Sequence, residues 1–239
     1  MLGRVVRDAF RSLTSYRRSA KGPLADYFFQ NAGRQMNKWH HYFEIYDRHF
    51  AAFRDRSPVV LEIGVSQGGS LQMWREYFGR GARIVGIDID PRCREFEEEQ
   101  ISVMIGDQED RAFLAEVRKR LPHVDIVIDD GGHTMLQQIA GFEELYPHIQ
   151  PNGVYVCEDM HTSVWPQYGG GYRRPGTFLE YSKNLVDRLY AWHSVEREVF
   201  AVDAITRSTY ALHFYDSMLV IEKRPIESPR YSVIGRQTF

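Results

Sequence analysis

Cysteine is nearly absent from this chain of 239 residues: Cys93 and Cys157 are the only two, and their separation is not that of metal ligands. That excludes a disulfide framework and points to a reducing compartment, the cytoplasm. Long hydrophobic runs are missing too. No apolar stretch approaches the roughly 20 residues needed to cross a bilayer, and the N-terminus lacks an uninterrupted apolar secretion segment, so a soluble protein is expected. Neither sign of charge dominates. Thirty Lys and Arg against 32 Asp and Glu leave a net charge of −2, and no basic patch interleaves with aromatics, so nucleic acid is not an expected partner. The dinucleotide fingerprint GxGxxG is also lacking. The first candidate strand ends LEIGVSQGGS, where three residues separate Gly64 from Gly68 and Gly69, a spacing that disfavours an NAD enzyme.

What is present suits one large domain, with 43% hydrophobic and 26% charged residues. Residues 1–36 read as a basic helical arm. Arg4, Arg7, Arg11, Arg17, Arg18 and Lys21 alternate with Val5, Val6, Phe10 and Leu13, a pattern for packing on the domain or a neighbouring subunit rather than a membrane surface. Residues 37–239 read as the main domain. Trp39 to Phe53 has helical spacing of aromatics. Then VVLEIGV, RIVGIDID, ISVMIGD, VDIVIDD and GVYVCED read as strands. They alternate with the helical segments LQMWREYF, CREFEEEQ, RAFLAEVRKRL and Met135 to Tyr146. The alternation predicts an α/β, doubly wound sheet. Thr162 to Gly176 reads as a substrate-contacting loop, and Thr177 to Ala191 as a helix. The runs SVEREVFAVDAI and TYALHFYDSMLVIEK read as two further strands, an antiparallel hairpin joined by TRS.

The chemistry concentrates where VDIVIDDGGH and NGVYVCEDMH each end in paired acids followed by a histidine. Ligands of open parallel sheets gather at the carboxyl ends of strands, where Asp129, Asp130, Glu158 and Asp159 would stand. Crowded carboxylates repel one another unless a cation joins them, and hard oxygen donors suit magnesium, calcium or manganese rather than zinc. The alternative is that one acid of each pair caps a helix while the other is solvated. On the opposite half of the sheet, Glu62 stands at a strand tip and Gly64, Gly68 and Gly69 lie where backbone passes close to a ligand. Asp88 ends the second strand, placed to accept hydrogen bonds from ribose hydroxyls. Asp90 precedes Pro91 as a cap. Asp107 and Gln108 either contact a base edge or simply turn the chain.

These residues resemble the class I S-adenosylmethionine-dependent methyltransferases, whose Rossmann-like sheet has seven strands, the last antiparallel. The resemblance covers roughly Asn37 to Lys223. Within it, the segment from IDDGGH through EDMHTSVWPQYGGG is similar to the metal-dependent sugar O-methyltransferases of macrolide and related natural-product pathways, a group that includes proteins labelled cephalosporin hydroxylases. The resemblance implies S-adenosyl-L-methionine and Mg2+ as cofactors, magnesium ligands at Asp130, Glu158 and Asp159, and His133 as general base. The catechol O-methyltransferases share that arrangement. It also implies cofactor contacts from Glu62, Gly64, Ser70, Asp88, Asp107, Gln108 and Asp129. Through KWHHYFEIYDRHF it adds Tyr42 and His41.

The implied activity is methylation of a hydroxyl, with a vicinal neighbour, on a glycosylated natural product, oligosaccharide or polysaccharide. A sugar hydroxyl needs its developing charge stabilised, which a metal and a base supply together. The other reading of His133 is a histidine satisfied by a backbone partner. His161 either caps the next segment or orients a metal ligand. Trp165, Tyr168 and Tyr172 either stack on a sugar or pack. A catechol-type phenol as acceptor and a non-catalytic cofactor-binding subunit are the alternatives. A non-haem iron hydroxylase is disfavoured, since it needs two histidines and a carboxylate together. A homo-oligomer through the aromatic-rich N-terminal region is expected.

Overall fold

The computed structural model describes residues 21–239. The expected basic helix therefore lies, apart from Lys21, outside the described residues. Seven strands form one sheet: β1 (Val59–Ile63), β2 (Arg83–Asp88), β3 (Ile101–Ile105), β4 (Val124–Asp129), β5 (Ile149–Cys157), β6 (Thr209–Tyr215) and β7 (Met218–Lys223). Their order is β3-β2-β1-β4-β5-β7-β6. The first five are parallel, and β7 runs antiparallel to both β5 and β6. The order reverses between β1 and β4, which opens the crevice where such sheets bind ligands.

Strand β1, VVLEI, is buried at every position, because helices cover both faces of the sheet and each face needs apolar side chains. Alternation sorts those side chains into two cores. Val60, Ile126, Val156 and Val220 meet one layer, α1 (Pro23–Gln30), α2 (Tyr42–Phe50) and α3 (Gly69–Phe78), through Leu24, Phe43, Tyr46 and Trp74. Leu61, Val127, Tyr155 and Leu219 meet the other, α4 (Arg111–Arg120), α5 (Met135–Leu145) and α6 (Phe178–Tyr190), through Leu114, Phe142 and Phe178. Each such large side chain contributes roughly 1.5–3 kcal/mol by leaving water. Side-chain caps start the second layer: Asp110 on α4, Thr134 with Gln137 in a capping box on α5, and Thr177 on α6.

Three expectations need correction. SVEREVFAVDAI forms no strand. Both antiparallel strands come from TYALHFYDSMLVIEK, which turns at Asp216 and Ser217 with Tyr215 opposite Met218. Ser217, the second residue of this two-residue turn, takes a φ of 60°, whereas Val195 and Val199 point into solvent. CREFEEEQ is not an α-helix either: Pro91–Phe96 is a short 3-10 turn with only Cys93 buried, since the glutamates that follow leave no apolar stripe. The Trp39 to Phe53 helix starts only at Tyr42 and tightens to 3-10 at Ala51–Phe53. The 162–176 loop is folded, containing the 3-10 turns Met160–Val164 and Pro166–Tyr168. The backbone amides of Gly170 and Gly171 donate to the carbonyls of Trp165 and Ser163.

Candidate active site

Three adjoining cavities line the carboxyl ends of β1, β2, β4 and β5, and Asp130 borders all of them. The first, about 250 Å3, is walled by Gly64, Asp88, Asp107, Gln108 and Gly131. Gly64 has a φ of 93°, and a Cβ there would fall 2.0 Å from the Asp130 carbonyl oxygen, so only glycine lets the β1 and β4 turns touch. Asp88 Oδ2 accepts from the amides of Val65 (2.9 Å) and Ser66 (3.0 Å), and Oδ1 accepts from Asp90 (2.9 Å). Its carboxylate is thereby aimed at the cavity with acceptor capacity left over. Asp107 accepts from Glu109 N at 2.8 Å. Gln108 Nε2 donates to Asp129 Oδ1 at 2.6 Å, leaving Oε1 buried without a partner. Asp90 caps its turn as expected, accepting from Arg92 N.

The second and third cavities, about 290 and 400 Å3, share Lys38, Asp130, His133 and Asp159; Ser70 lines the second, while Tyr42, Glu158, His161, Trp165 and Tyr168 line the third. His133 Nε2 faces Asp159 Oδ2 at 3.5 Å and Asp130 Oδ1 at 3.9 Å. Its Nδ1 is buried and unpartnered. His133 and Asp159 both take left-handed backbone, φ 57° and 52°, a conformation costing on the order of 1–3 kcal/mol where a side chain is held for use. Thr162 Oγ1 helps hold it by donating to the His133 carbonyl at 3.0 Å. The ring itself has no backbone partner among the hydrogen bonds of the described residues.

Sequence reasoning missed Lys38. Its ammonium, 2% exposed, lies 2.6 Å from Asp130 Oδ2, 3.0 Å from both Glu158 oxygens and 3.6 Å from Glu62 Oε1. Burial opposes that charge, but Asp130, Glu158 and Glu62 outweigh it and hold the ammonium above the ordinary lysine range. Burial pushes Asp130 up while Lys38 pulls it back. Glu158, which also accepts from the Tyr46 hydroxyl at 2.7 Å, is pushed well above the carboxylate range by burial and then by Asp130. The two hydrogen-bond partners of Lys38 lie 92 and 120 residues away in the chain, so no local pattern signals it.

One ligand atom each from Asp130, His133 and Asp159 lies within 4.8 Å of the others, close enough to share one ion. Glu158 adjoins them, its carboxylate turned toward Lys38 and Tyr46. A pocket of oxygen donors, with an excess of acid over the single ammonium, fits a hard divalent cation.

Other residues singled out from sequence stand elsewhere. Glu62 is wholly buried, accepting from Ser70 Oγ (2.8 Å) and Trp74 Nε1 (3.0 Å). Asp129 turns to the opposite layer, accepting from Gln108 and, at 3.0 Å, from the Tyr155 hydroxyl. Burial pushes its carboxyl up to about 7 against those bonds. Tyr42 sits beside the acid cluster, its hydroxyl donating to Asp159 Oδ1 at 2.9 Å. His41 Nε2 lies 3.0 Å from the Asp216 carbonyl, away from all three cavities. His161 Nδ1 lies 3.0 Å from Ser217 Oγ, its ring between Trp39 and Trp165. Trp165 and Tyr168 rim the third cavity, whereas Tyr172 stands out in solvent.

The sheet order, the glycine turn at β1 and the acid-tipped strands define a class I methyltransferase fold. A family model described as "Methyltransferase domain" matches residues 61–160. The 8-demethyl-8-alpha-L-rhamnosyl tetracenomycin-C 2'-O-methyltransferase of Streptomyces olivaceus is 37% identical over 198 residues, 79% of this chain and 52% of that protein. The demethylmacrocin O-methyltransferase of Streptomyces fradiae is 38% identical over 200 residues, 78% of this chain and 50% of that protein. The MycE methyltransferase of the mycinamycin biosynthetic pathway, solved with Mg, SAH and mycinamycin VI, is 34% identical. It superposes with a TM-score of 0.77 over 91% of this chain and 58% of that one. The chain has the class I methyltransferase fold and, over most of its length, is similar to these sugar O-methyltransferases. It spans about half the length of the curated relatives it matches.

Proposed function

We propose that the chain is an S-adenosyl-L-methionine- and Mg2+-dependent O-methyltransferase acting on a sugar hydroxyl of a glycosylated natural product, oligosaccharide or polysaccharide. In this reading residues 37–239 are its catalytic domain and residues 1–36 an appended arm. The observation that carries the reading is the continuity of the first cavity, with Asp88 and Gln108 on its wall, into the cavity holding His133, Asp130 and Asp159. Relatives named for sugar O-methylation, one of them solved with Mg and SAH, support it.

Gly64, Asp88, Asp107 and Gln108 bind the nucleoside end of the cofactor, the carboxylate of Asp88 accepting from ribose hydroxyls. Ser70 and the buried Glu62 support the turn around its amino-acid end, and Asp129 fixes Gln108. Asp130, Glu158 and Asp159 hold the metal, with Tyr42 orienting Asp159 and Lys38 limiting the repulsion among the acids. Bound S-adenosylmethionine supplies an electrophilic methyl, and bound magnesium a Lewis acid that lowers a hydroxyl's pKa. His133 takes the acceptor proton at Nε2, and Asp159 and Asp130, 3.5 and 3.9 Å away, stabilise the imidazolium that forms. His161, Trp165 and Tyr168 offer a flat, half-polar rim to a sugar ring. Vicinal diols fit best, because two adjacent oxygens let the site fix the attacking one in line.

Among the described residues no helix is long and apolar enough to cross a membrane. A cytoplasmic location is consistent with both cysteines being free and buried. A homo-oligomer is part of the same reading, and a monomeric mass by light scattering at micromolar concentration would count against it. Isothermal titration tests the cofactor half: S-adenosylmethionine binds one to one, and Gly64→Ala abolishes binding. No heat with the unaltered protein would sink the reading.

A further inference from the structure

We infer that His49, His213 and Glu222 form a second divalent-metal site, of the zinc and cobalt class, on the sheet face covered by α2 and separate from the acid cluster. His49 lies on α2, and His213 and Glu222 on the adjacent strands β6 and β7. Glu222 pairs with Ala211, so strand alternation places Glu222, His213 and Tyr215 on the same face, toward α2. One carboxylate oxygen serves both rings: Glu222 Oε1 is 3.0 Å from His49 Nδ1 and 3.1 Å from His213 Nε2. One ligand atom from each of the three lies within 4.8 Å of the others.

Three further features suit a metal rather than an ordinary ion pair. His213 Nε2 is buried yet makes no well-directed hydrogen bond. His49 Nε2 is held by the Tyr215 hydroxyl at 2.9 Å, the outer partner a ligating histidine generally has on its other nitrogen. His49 and Glu222 also border a cavity of about 620 Å3, leaving an open position for water or a small anion. Imidazole donors select zinc, cobalt or nickel over magnesium. The site therefore has two imidazoles to one carboxylate, the reverse of the Asp130, His133 and Asp159 cluster. Bound there, a metal ties α2 to the β6–β7 hairpin, and α2 begins at Tyr42, whose hydroxyl holds Asp159.

The test is cobalt titration of the full chain, chelator-treated and then kept in excess magnesium. A His133→Ala/Asp159→Asn background removes the competing nitrogen and oxygen donors. We expect one equivalent of Co2+ to give visible absorption bands, zinc to bleach them, and the thermal midpoint to rise with metal concentration. His213→Ala and Glu222→Gln, checked for unchanged circular dichroism, abolish the bands. A readout without substitution at the site is zinc protection of His213 from diethyl pyrocarbonate, read by mass spectrometry. No bands, bands that survive both substitutions, or no protection would overturn the site.

Discussion

The two acid–histidine segments, IDDGGH after β4 and CEDMH after β5, look alike in sequence and play different parts in the structure. At the end of β4 the neighbouring acids diverge, as successive side chains of a strand do, whereas Glu158 and Asp159 follow β5 and both line the third cavity. Asp129 turns into the layer of α5 and Asp130 into the open site. Glu158 turns under Lys38 and Tyr46, and Asp159 faces the cavity. The histidines differ more. His133 follows two glycines, sits in left-handed backbone and presents Nε2 to Asp130 and Asp159. His161 is bound to Ser217 and wedged between tryptophans. A repeated pattern has yielded one candidate base and one wall residue, and the glycines account for the difference.

That contrast is broken hardest at His133 and Asp130. His133→Ala should lower methyl transfer by roughly 10²–10⁴-fold in single-turnover assays, and Asp130→Ala should abolish metal-dependent turnover while both variants still bind cofactor. Next comes the cation the two segments share. Lys38→Met leaves Asp130, Glu158 and Glu62 without their common partner, and urea unfolding should register a loss of about 3–5 kcal/mol. A milder loss would mean that protonation of Glu158 relieves the repulsion.

Asp129 sharpens the comparison through pH. Its folded carboxyl lies near 7 against 3.8 for an ordinary aspartate, so its contribution to stability is fully present below about pH 4 and lost as pH rises to 7. Asp129→Asn should therefore gain on the unaltered protein between those pH values and level off above. A parallel pair of stability curves would refute that assignment. The smallest effect is expected at His161: His161→Ala should cost turnover no more than about 10-fold, the lower range for groups acting through another. A loss matching that of His133→Ala would reverse the two roles.

Much of this was legible in the chain. The five parallel strands follow from short β-branched runs buried on both faces, and the acid tips from where those runs stop. The hairpin was misplaced because SVEREVF alternates like a strand, while the real turn, Asp216 and Ser217, is only two residues long. Lys38 was illegible because its partners arrive from three different strand ends. The departure of Asp129 and Glu62 from the cofactor wall was available in principle, since adjacent strand residues cannot face the same side. The pairing of His49 with His213 and Glu222 depends on how α2 packs against the β6–β7 hairpin, far from it in the chain.

The central claim is that Asp130, Glu158 and Asp159 act through a bound divalent cation with His133 as base. Transfer of labelled methyl from S-adenosylmethionine to a panel of sugar diols, with magnesium or with EDTA, tests it most directly. The account predicts transfer that requires magnesium and collapses in His133→Ala. Transfer that persists in EDTA would contradict it and leave the acid cluster a structural feature neutralised by Lys38.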